Sequence, residues 1–305
     1  MTFWFYKIQL AGKDFLFIDL DREAHKNIQL DERGLGELAE LILDRRCGVG
    51  GDGLVLFQRE QDPPGTAGLS HPHPVSLSLI HYTNGGKRSP LPLDGLFCAA
   101  RLGFDMGLAD HTTLSLANEG KSYRLRAVDS RTFQLYPPLP EQERWTCIID
   151  GKPFEAFLCR GQAIYTAMIA PLTGPRGSTQ RIKQSLVAMS RGTIPLLIRP
   201  IHRELVRYVA PERADRIETG AIAALLAYQH NLVEKEHILE WRGRGGAVSY
   251  ATFPAIPPNR SPLSVSVLGP ATLIDRGRFW AEHEETGQLA IAGIAEYVFE
   301  GSFDL

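Results

Sequence analysis

Apolar and polar positions alternate in two short stretches near the start of the chain. Residues 3–6 and 15–19 are rich in aromatic side chains and lie on either side of Gly12, a pattern that predicts two strands joined by a turn. Residues 34–46 instead carry leucine and isoleucine at helical spacing, including Leu41, and Gly48 follows as a stop signal. The chain therefore opens as a hairpin followed by an amphipathic helix.

Two later segments share one layout. Residues 75–82 predict a strand that leads through a polar loop into a helix beginning at Asp94-Gly95. Residues 205–209 lead in the same way into a small-residue helix beginning at Thr219-Gly220. Asp94 and Thr219 are both residue types that cap helices, and they lie about 125 positions apart. The repetition predicts two similar halves, with the proline-rich residues 136–145 as the candidate linker.

Three further segments have simpler patterns. Residues 54–57 are a short apolar run typical of a buried strand. Residues 61–74 contain too much proline and glycine for regular structure and predict a surface loop. Residues 178–191 predict another helix, with Ser178 as its N-cap and Gly192 beyond its end.

Composition limits the classes of function. With 305 residues, 44% hydrophobic and 22% charged, the chain can form two globular domains. A net charge of −2 gives no electrostatic reason to expect a nucleic acid or membrane partner. The N-terminus does not resemble a signal peptide, and the cysteines form no CxxC pair, so reduced thiols in the cytoplasm are expected. A small molecule is the expected partner, and a homodimer is left open.

Two motifs are rejected. Gly48, Gly50 and Gly53 match the dinucleotide fingerprint G-x-G-x-x-G, but that motif must follow a strand and open a helix, and here the order is reversed. Asp52 within this turn is instead expected to reach a pocket or bond neighbouring amides. His71 and His73 have no third ligand nearby in the sequence, so no metal site is predicted.

Five segments, in order along the chain, resemble the diaminopimelate epimerase family. The first retains Lys7, Gly12, Asp14 and Phe15 of the family's opening motif, and the second resembles its Arg-x-x-Gly-Ile-Gly-Ala-Asp-Gly signature. The third is similar to Phe-Asn-Ala-Asp-Gly, with Asn84 as the substrate-facing asparagine. The segments are residues 5–19, 44–57 and 81–86, the pair Glu212-Arg213, and residues 267–277.

This resemblance implies an α+β fold of the diaminopimelate epimerase type. Two similar domains, each a mixed sheet or barrel around a central helix, would enclose an active site that needs no cofactor. The expected boundaries are 1–137 for the first domain and 138–270 for the second. Residues 271–305 are expected to form a strand and extension that return towards the first domain.

Both catalytic cysteines of that family are missing. In the family each central helix begins at a Cys-Gly motif, where the helix N-terminus lowers the pKa of the thiol. Pro92 and Ile217 stand at these positions when the last two motif residues are aligned. Pairing Glu218-Thr219 with an upstream Gly-Glu-Thr of the family is an alternative that deletes the cysteine loop. Neither alignment restores a thiol pair, so a two-thiol racemisation is not expected.

Two hypotheses remain for the function. The first is an isomerase or cyclase in which Asp94 and Glu218, beside the lost cysteines, divide the acid and base roles. The simpler alternative is that Asp94 is an N-cap and Glu218 a partner of the helix dipole. The residues expected to line the substrate pocket are Lys13, Asp14, Asp52, Asn84, Gln162, Glu212, Arg213 and Thr219. The second hypothesis is a non-catalytic binding or partner protein derived from an epimerase.

Overall fold

A computed structural model of the protein describes residues 2–10, 12–25, 30–60, 76–109, 113–127, 132–135, 141–161, 163–170, 176–202, 205–209, 219, 222–223, 226, 230, 238–242, 248–252, 263–268, 279–283 and 289–304. The chain divides into two compact units. Unit 1 comprises Met1–Tyr136 and Gly293–Leu305, and unit 2 comprises Pro137–Ala292. The predicted loop at 61–74 lies outside the described residues.

Unit 1 is a mixed sheet with two helices. Its strands are β1 (Thr2–Leu10), β2 (Lys13–Asp19), β3 (Gly53–Arg59), β4 (Ser76–Thr83), β5 (Thr113–Asn118), β6 (Lys121–Ala127), β7 (Thr132–Leu135) and β18 (Glu296–Asp304). Its helices are α1 (Glu32–Leu43) and α2 (Leu93–Asp105), with a short 3-10 turn at Glu23–His25. The predicted opening hairpin and the strand at 54–57 are confirmed.

The sheet of unit 1 curves around α2. β18 and β2 pair antiparallel with β1, β2 and β3 run parallel, β3 and β4 antiparallel, and β4 and β5 parallel. β5, β6 and β7 complete the order with antiparallel pairings. Strands from both ends of this order, β18 and β7, contact α2, as do β1, β2 and β5. Ten of the 13 residues of α2 are buried, as expected of a helix enclosed by a sheet.

The two faces of the sheet cover different helices. Leu16 and Ile18 of β2 belong to an apolar cluster with the buried face of α1. The neighbouring Phe15 points the other way and lies against Gly95 of α2. Successive side chains of a strand alternate between faces, so a strand with a helix on each side becomes a continuous apolar run. Leu41, placed by its spacing on the buried face of α1, is 43% exposed, and that part of the prediction is wrong.

Unit 2 contains β8 (Glu141–Ile149), β9 (Lys152–Arg160), β10 (Ile164–Ile169), β11 (Ile194–His202), β12 (Leu205–Val209), β13 (Ile238–Arg242), β14 (Val248–Thr252), β15 (Leu263–Leu268), β16 (Phe279–His283) and most of β17 (Leu289–Ile294). Its helix α3 (Arg176–Met189) lies between β10 and β11. Thr219, Ile222, Ala223 and Leu226 are helical and buried, so the predicted small-residue helix is confirmed at these positions.

Unit 2 repeats the pairing pattern of unit 1. From β9 to β15 the successive pairings are antiparallel, parallel, antiparallel, parallel, antiparallel and antiparallel, which is the order found from β1 to β7. In each unit the helices lie in the connections between the parallel strands, as such crossovers require. The predicted pair of similar halves is confirmed, and the fold is α+β.

Two boundary predictions are wrong. Ser178 is not an N-cap, because α3 already begins at Arg176. Residues 141–145, the second half of the candidate linker, are part of β8, whose pairing with β9 satisfies their backbone groups. The polar sequence of these residues suggested a linker, but it is also what an exposed strand requires.

Gly48→Ala is expected to lower the free energy of unfolding by about 3 kcal/mol. A β-carbon at Gly48 would lie 2.3 Å from the carbonyl oxygen of Leu41 and 2.6 Å from that of Ile42, at the end of α1. These are backbone atoms, which cannot rotate away. Urea denaturation followed by circular dichroism measures the loss. Gly85→Ala is the control, because its nearest neighbour would be 4.0 Å away, and equal losses in both variants would contradict this account.

Candidate functional site

Four charged side chains meet where the opening hairpin contacts the turn after α1. The Asp14 carboxylate lies 3.0 Å from Lys7 Nζ and 2.5 Å from a guanidinium nitrogen of Arg45. The same nitrogen of Arg45 lies 3.3 Å from Asp52 Oδ2. The backbone joins Asp14 and Asp52 directly, because Asp14 N–H donates to Asp52 Oδ2 at 3.1 Å and Asp52 N–H donates to Asp14 O at 2.7 Å.

A bulge places Lys7 in this cluster. β1 pairs Lys7 with Phe299 and the next residue, Ile8, with Tyr297, so the register skips one residue of β18. Such a bulge re-aims side chains, and Lys7 and Ile8 are both buried although they are consecutive. Lys7 Nζ also donates to the carbonyl oxygen of Gly50 at 2.8 Å. The lysine therefore ties the hairpin to the turn as well as to Asp14.

The two carboxyl groups have pKa values shifted in opposite directions. Burial alone would raise the pKa of Asp14, but hydrogen bonds from Arg45, Asp52 and Lys7 outweigh burial and lower it. Burial raises the pKa of Asp52, and the adjacent Asp14 raises it further. One member of the pair is thus held ionised while the other retains a proton more readily. That division is what an acid–base pair requires.

The glycine-rich turn is not a phosphate cradle. Every backbone N–H from Gly48 to Asp52 donates to a carbonyl oxygen of the protein itself. The acceptors are Asp44 O, Ile42 O (twice), Leu43 O and Asp14 O. A phosphate site needs such amides directed at the ligand. The geometry therefore supports the rejection of dinucleotide binding. The turn instead holds Asp52 against Asp14.

Asp94 lies inside the first turn of the central helix. The N-cap of α2 is Pro92, which has no capping side chain, and Asp94 is the second helical residue with 1% of its surface exposed. The alternative that Asp94 is an N-cap is therefore wrong. An acidic residue in the first turn interacts favourably with the helix dipole. Burial is the main reason why the pKa of Cys98 is raised, and the negative charges of Asp94 and Asp14 raise it further. Both carboxyl groups therefore lie within electrostatic reach of this thiol.

Two buried polar side chains fix the loop before α2. Asn118 Oδ1 accepts the N–H of Leu91 at 2.8 Å, and its Nδ2 donates to Leu79 O at 2.9 Å. His81 Nδ1 lies 3.1 Å from the carbonyl oxygen of Ser89. A β-carbon on Gly95 would lie 2.3 Å from Leu91 Cδ1, so helix and loop are in close contact. The position of Asp94 is thereby set by residues distant in sequence, and no sequence signal singled out His81 or Asn118.

The remaining predicted residues belong to several segments of the chain. Lys13 is half-buried at the start of β2 and pairs with Leu10, whereas Asn84 is exposed in the turn at 83–86. In unit 2, Thr219 is fully buried and its hydroxyl donates to Tyr165 Oη at 3.3 Å. Pro92 is half-buried beside Leu91. The other predicted residues lie outside the described part of the chain: Gln162, Glu212, Arg213, Ile217 and Glu218.

Neither the buried Cys98 and Cys159 nor the half-buried Cys147 has the character of an acid–base thiol. Burial raises the pKa of Cys98 well above its usual range and that of Cys159 to about 12, and it also raises the pKa of Cys147. A thiol that exchanges protons near neutrality needs the opposite shift. Cys47 is exposed in the turn after α1.

The described residues contain neither a metal-binding cluster nor a helix that could cross a membrane. Among them, no group of three or more His, Cys, Asp or Glu side chains is arranged to hold a metal ion, and His71 and His73 lie outside this part of the chain. No helix in the described ranges is both long enough and apolar enough to cross a membrane.

Asp52→Asn is expected to stabilise the protein more at pH 7 than at about pH 4. The raised pKa means that the folded state holds this proton more tightly than the unfolded state, so stability falls as the pH rises from the unfolded towards the folded pKa. Asparagine cannot ionise and avoids that loss. Urea denaturation of both proteins at both pH values measures the difference, with Asp105→Asn as control. A variant-to-wild-type difference that does not change with pH would contradict the assignment.

Comparisons with known proteins agree with this architecture. No family model matches the sequence. A diaminopimelate epimerase of Flavobacterium psychrophilum is 24% identical over 115 residues, a match that spans 38% of this chain and 38% of that enzyme. The sequence resemblance predicted from the five segments is therefore confirmed.

Solved structures match over the whole chain. A phenazine biosynthesis protein of Enterococcus faecalis superposes with a TM-score of 0.58 at 14% identity and covers 100% of both chains. A hydroxyproline epimerase of Agrobacterium vitis gives a TM-score of 0.53 at 11% identity, covering 100% of this chain and 93% of the other. The protein thus has the fold of these isomerases and biosynthetic enzymes, with a sequence similar to diaminopimelate epimerase.

Proposed function

We propose that the protein is a cofactor-independent enzyme of the isomerase or cyclase type, which acts on a specialised small molecule through carboxyl groups instead of thiols. The observation that carries the proposal is the Asp14–Asp52 pair, whose pKa values are shifted in opposite directions beside a buried lysine and an arginine. Moving a proton within a substrate needs one group to remove it and another to return it. Carboxyl groups with divided pKa values meet that need.

The proposed catalytic residues are Asp94 and Glu218, which stand beside the positions of the missing cysteines in the sequence, and the Asp14–Asp52 pair is proposed to assist them. Asp94 is held in the first turn of α2, close to the backbone N–H groups at the helix N-terminus, and 1% of its surface is exposed. Asp52, 37% exposed and with a raised pKa, is suited to supply a proton or a hydrogen bond to an anionic substrate group. The substrate-contacting roles of Lys13, Asp14, Asn84, Gln162, Glu212, Arg213 and Thr219 are part of the proposal.

A non-catalytic binding or partner protein is the second candidate, and one observation favours it. Asp14, Asp52, Lys7 and Arg45 bond to one another, so their presence is also explained by the stability of unit 1. Charged groups that are retained for structure need no substrate. The two candidates differ in whether a carbon-bound proton of any ligand exchanges with solvent.

Solvent exchange tests the proposal. The protein is incubated in heavy water with hydroxyproline and diaminopimelate, the compounds named for two similar proteins, and with further carboxylic acids that have an acidic C–H bond. Mass spectrometry then detects deuterium on carbon. Enzyme-dependent incorporation supports the isomerase. Tight binding by calorimetry without exchange or any new product supports the binding protein, whereas a new cyclic product without exchange supports the cyclase.

A further inference from the structure

His81 occupies a central place in unit 1 that neither candidate function assigns. It lies on β4, opposite Val55 of β3, and only 4% of its surface is exposed. Its Nδ1 lies 3.0 Å from the hydroxyl and 3.1 Å from the carbonyl oxygen of Ser89. Because a carbonyl oxygen only accepts hydrogen bonds, the contact with it requires a hydrogen on Nδ1. The backbones of the two residues are bonded as well, because Ser89 N–H donates to His81 O at 3.0 Å.

The opposite edge of the ring contacts the residues that directly follow Asp14 and Asp52. Gly53 comes directly after Asp52, and a β-carbon there would lie 2.5 Å from His81 Nε2. Phe15 comes directly after Asp14, and its ring meets the imidazole edge-on with 6.2 Å between centroids. Phe15 also lies against the position of a β-carbon on Gly95, at 3.3 Å. The imidazole therefore fills the space between the backbone of β3 and an aromatic ring of β2.

These contacts connect three elements of the proposed site. One edge of the imidazole fixes Ser89, three residues before the N-cap of α2, and the other edge determines how closely β2 and β3 approach at Phe15 and Gly53. A well-packed interior transmits such constraints, because a missing side chain leaves neighbours that relax only partly. The spacing between the Asp14–Asp52 pair and the start of α2 thus depends on this one ring.

We propose that His81 is a positioning residue of the proposed site, which holds the Asp14–Asp52 pair in contact and in register with the first turn of α2. This inference rests on the proposed function only in so far as it gives His81 a part in catalysis. The geometry that it describes can be tested without a substrate. His81 acts through its neighbours, since it is buried and its described contacts are to the residues adjoining the carboxylates.

The test is an NMR titration of the side-chain carboxyl carbons in the full-length protein. His81→Asn keeps a donor near Ser89 but removes the ring between Phe15 and Gly53. With the pair loosened, the titration midpoint of Asp52 is expected to fall towards the ordinary value by about half a pH unit or more, a roughly threefold change in proton affinity. A change in overall stability alone would not move this midpoint.

His25→Asn is the matched control. His25 is also buried in unit 1, with 2% of its surface exposed, and it bonds Trp4 N–H and Asp19 O. These partners do not adjoin Asp14, Asp52 or Asp94. Its replacement is expected to lower stability while leaving the Asp52 midpoint unchanged. If His81→Asn leaves the midpoint unchanged, or if both variants shift it equally, the inference is overturned.

A second variant covers the case in which His81→Asn does not fold. Phe15→Leu removes the other ring of the same edge-on contact, and the same shift and the same two overturning outcomes apply to it. Failure to find deuterium exchange with any substrate would count against the proposed function but would leave this titration result standing. The two proposals therefore fail separately.

Discussion

Replacing Asp14 with alanine is expected to lower the free energy of unfolding by about 3 kcal/mol. The side chains of Lys7 and Asp14 are only 11% and 14% exposed, so the change leaves a nearly buried ammonium group without its carboxylate. Removing one partner of a buried pair is strongly destabilising because the remaining charge is still desolvated. The carbonyl oxygens of Gly50 and Val49 remain as acceptors for Lys7, which keeps the loss at the lower end of that range.

Urea denaturation at neutral and acidic pH checks this result. The pKa of Asp14 is lowered in the folded state, so its contribution is complete above the unfolded pKa and is lost as the pH falls through the folded pKa. The difference between wild type and variant should therefore shrink on acidification. Glu37→Ala is the control, because its pair with Arg33 is 85% and 64% exposed and should contribute under about 0.5 kcal/mol. An Asp14→Ala loss as small as the control's would contradict the account.

The ion pairs give the charged residues of the opening motif a structural role. Lys7 and Asp14 belong to the first segment that resembles the family, and Arg45 lies within the second segment, residues 44–57. In the structure these three residues form one ion-pair cluster with Asp52. The retention of these residues is explained by a structural role that any use in catalysis must accommodate. Because Asp14 accepts bonds from Lys7 and Arg45 and has a lowered pKa, its place in the proposed mechanism is that of a positioning and electrostatic partner, and Asp52, with the raised pKa, is the better suited of the two to donate a proton.

Much of the fold could be predicted because its periodicities are local. The alternation of residues 3–6 and the helical spacing after residue 34 each reflect one buried face, whereas residues 15–19 are a continuous buried run, as expected of a strand covered on both faces. The repeated strand–loop–helix layout was visible for the same reason, and the identical order of pairings in the two units confirms it. Resemblance to a known family added the enclosure of the central helix, which spacing alone does not specify.

The details of the site could not be predicted because they depend on contacts between distant residues. Nothing in the sequence shows that the pairing of β1 with β18 skips one residue of β18 between the partners of Lys7 and Ile8. Yet this bulge allows Lys7 to reach Asp14. The sequence predicts Asp94 as the cap, but the loop held by Asn118 and His81 places the N-cap two residues earlier, at Pro92. A lone histidine in an alternating strand carries no signal of its role.

Asp94→Asn is expected to reduce solvent deuterium exchange about 10²- to 10⁴-fold, with folding retained. Asparagine has nearly the same size and still offers a donor and an acceptor in the first turn of α2, so the main loss is the ability to carry a proton. Glu218→Gln should give a loss of the same order if the two residues act as base and acid on one substrate. The double variant should then be little worse than either single one, because groups that act as a unit are not additive.

Asp105→Asn supplies the comparison for Asp94→Asn on the same helix. Asp105 is the last residue of α2, and its carboxylate pairs with Arg101 at 2.7 Å. Its replacement should leave exchange unchanged, since a charge at the far end of the helix has no access to the first turn. If Asp94→Asn retains wild-type exchange and changes only stability, by about 0.3–1 kcal/mol, then Asp94 is a partner of the helix dipole. The proton transfer would then belong to the Asp14–Asp52 pair, whose exposed member already has the raised pKa of an acid.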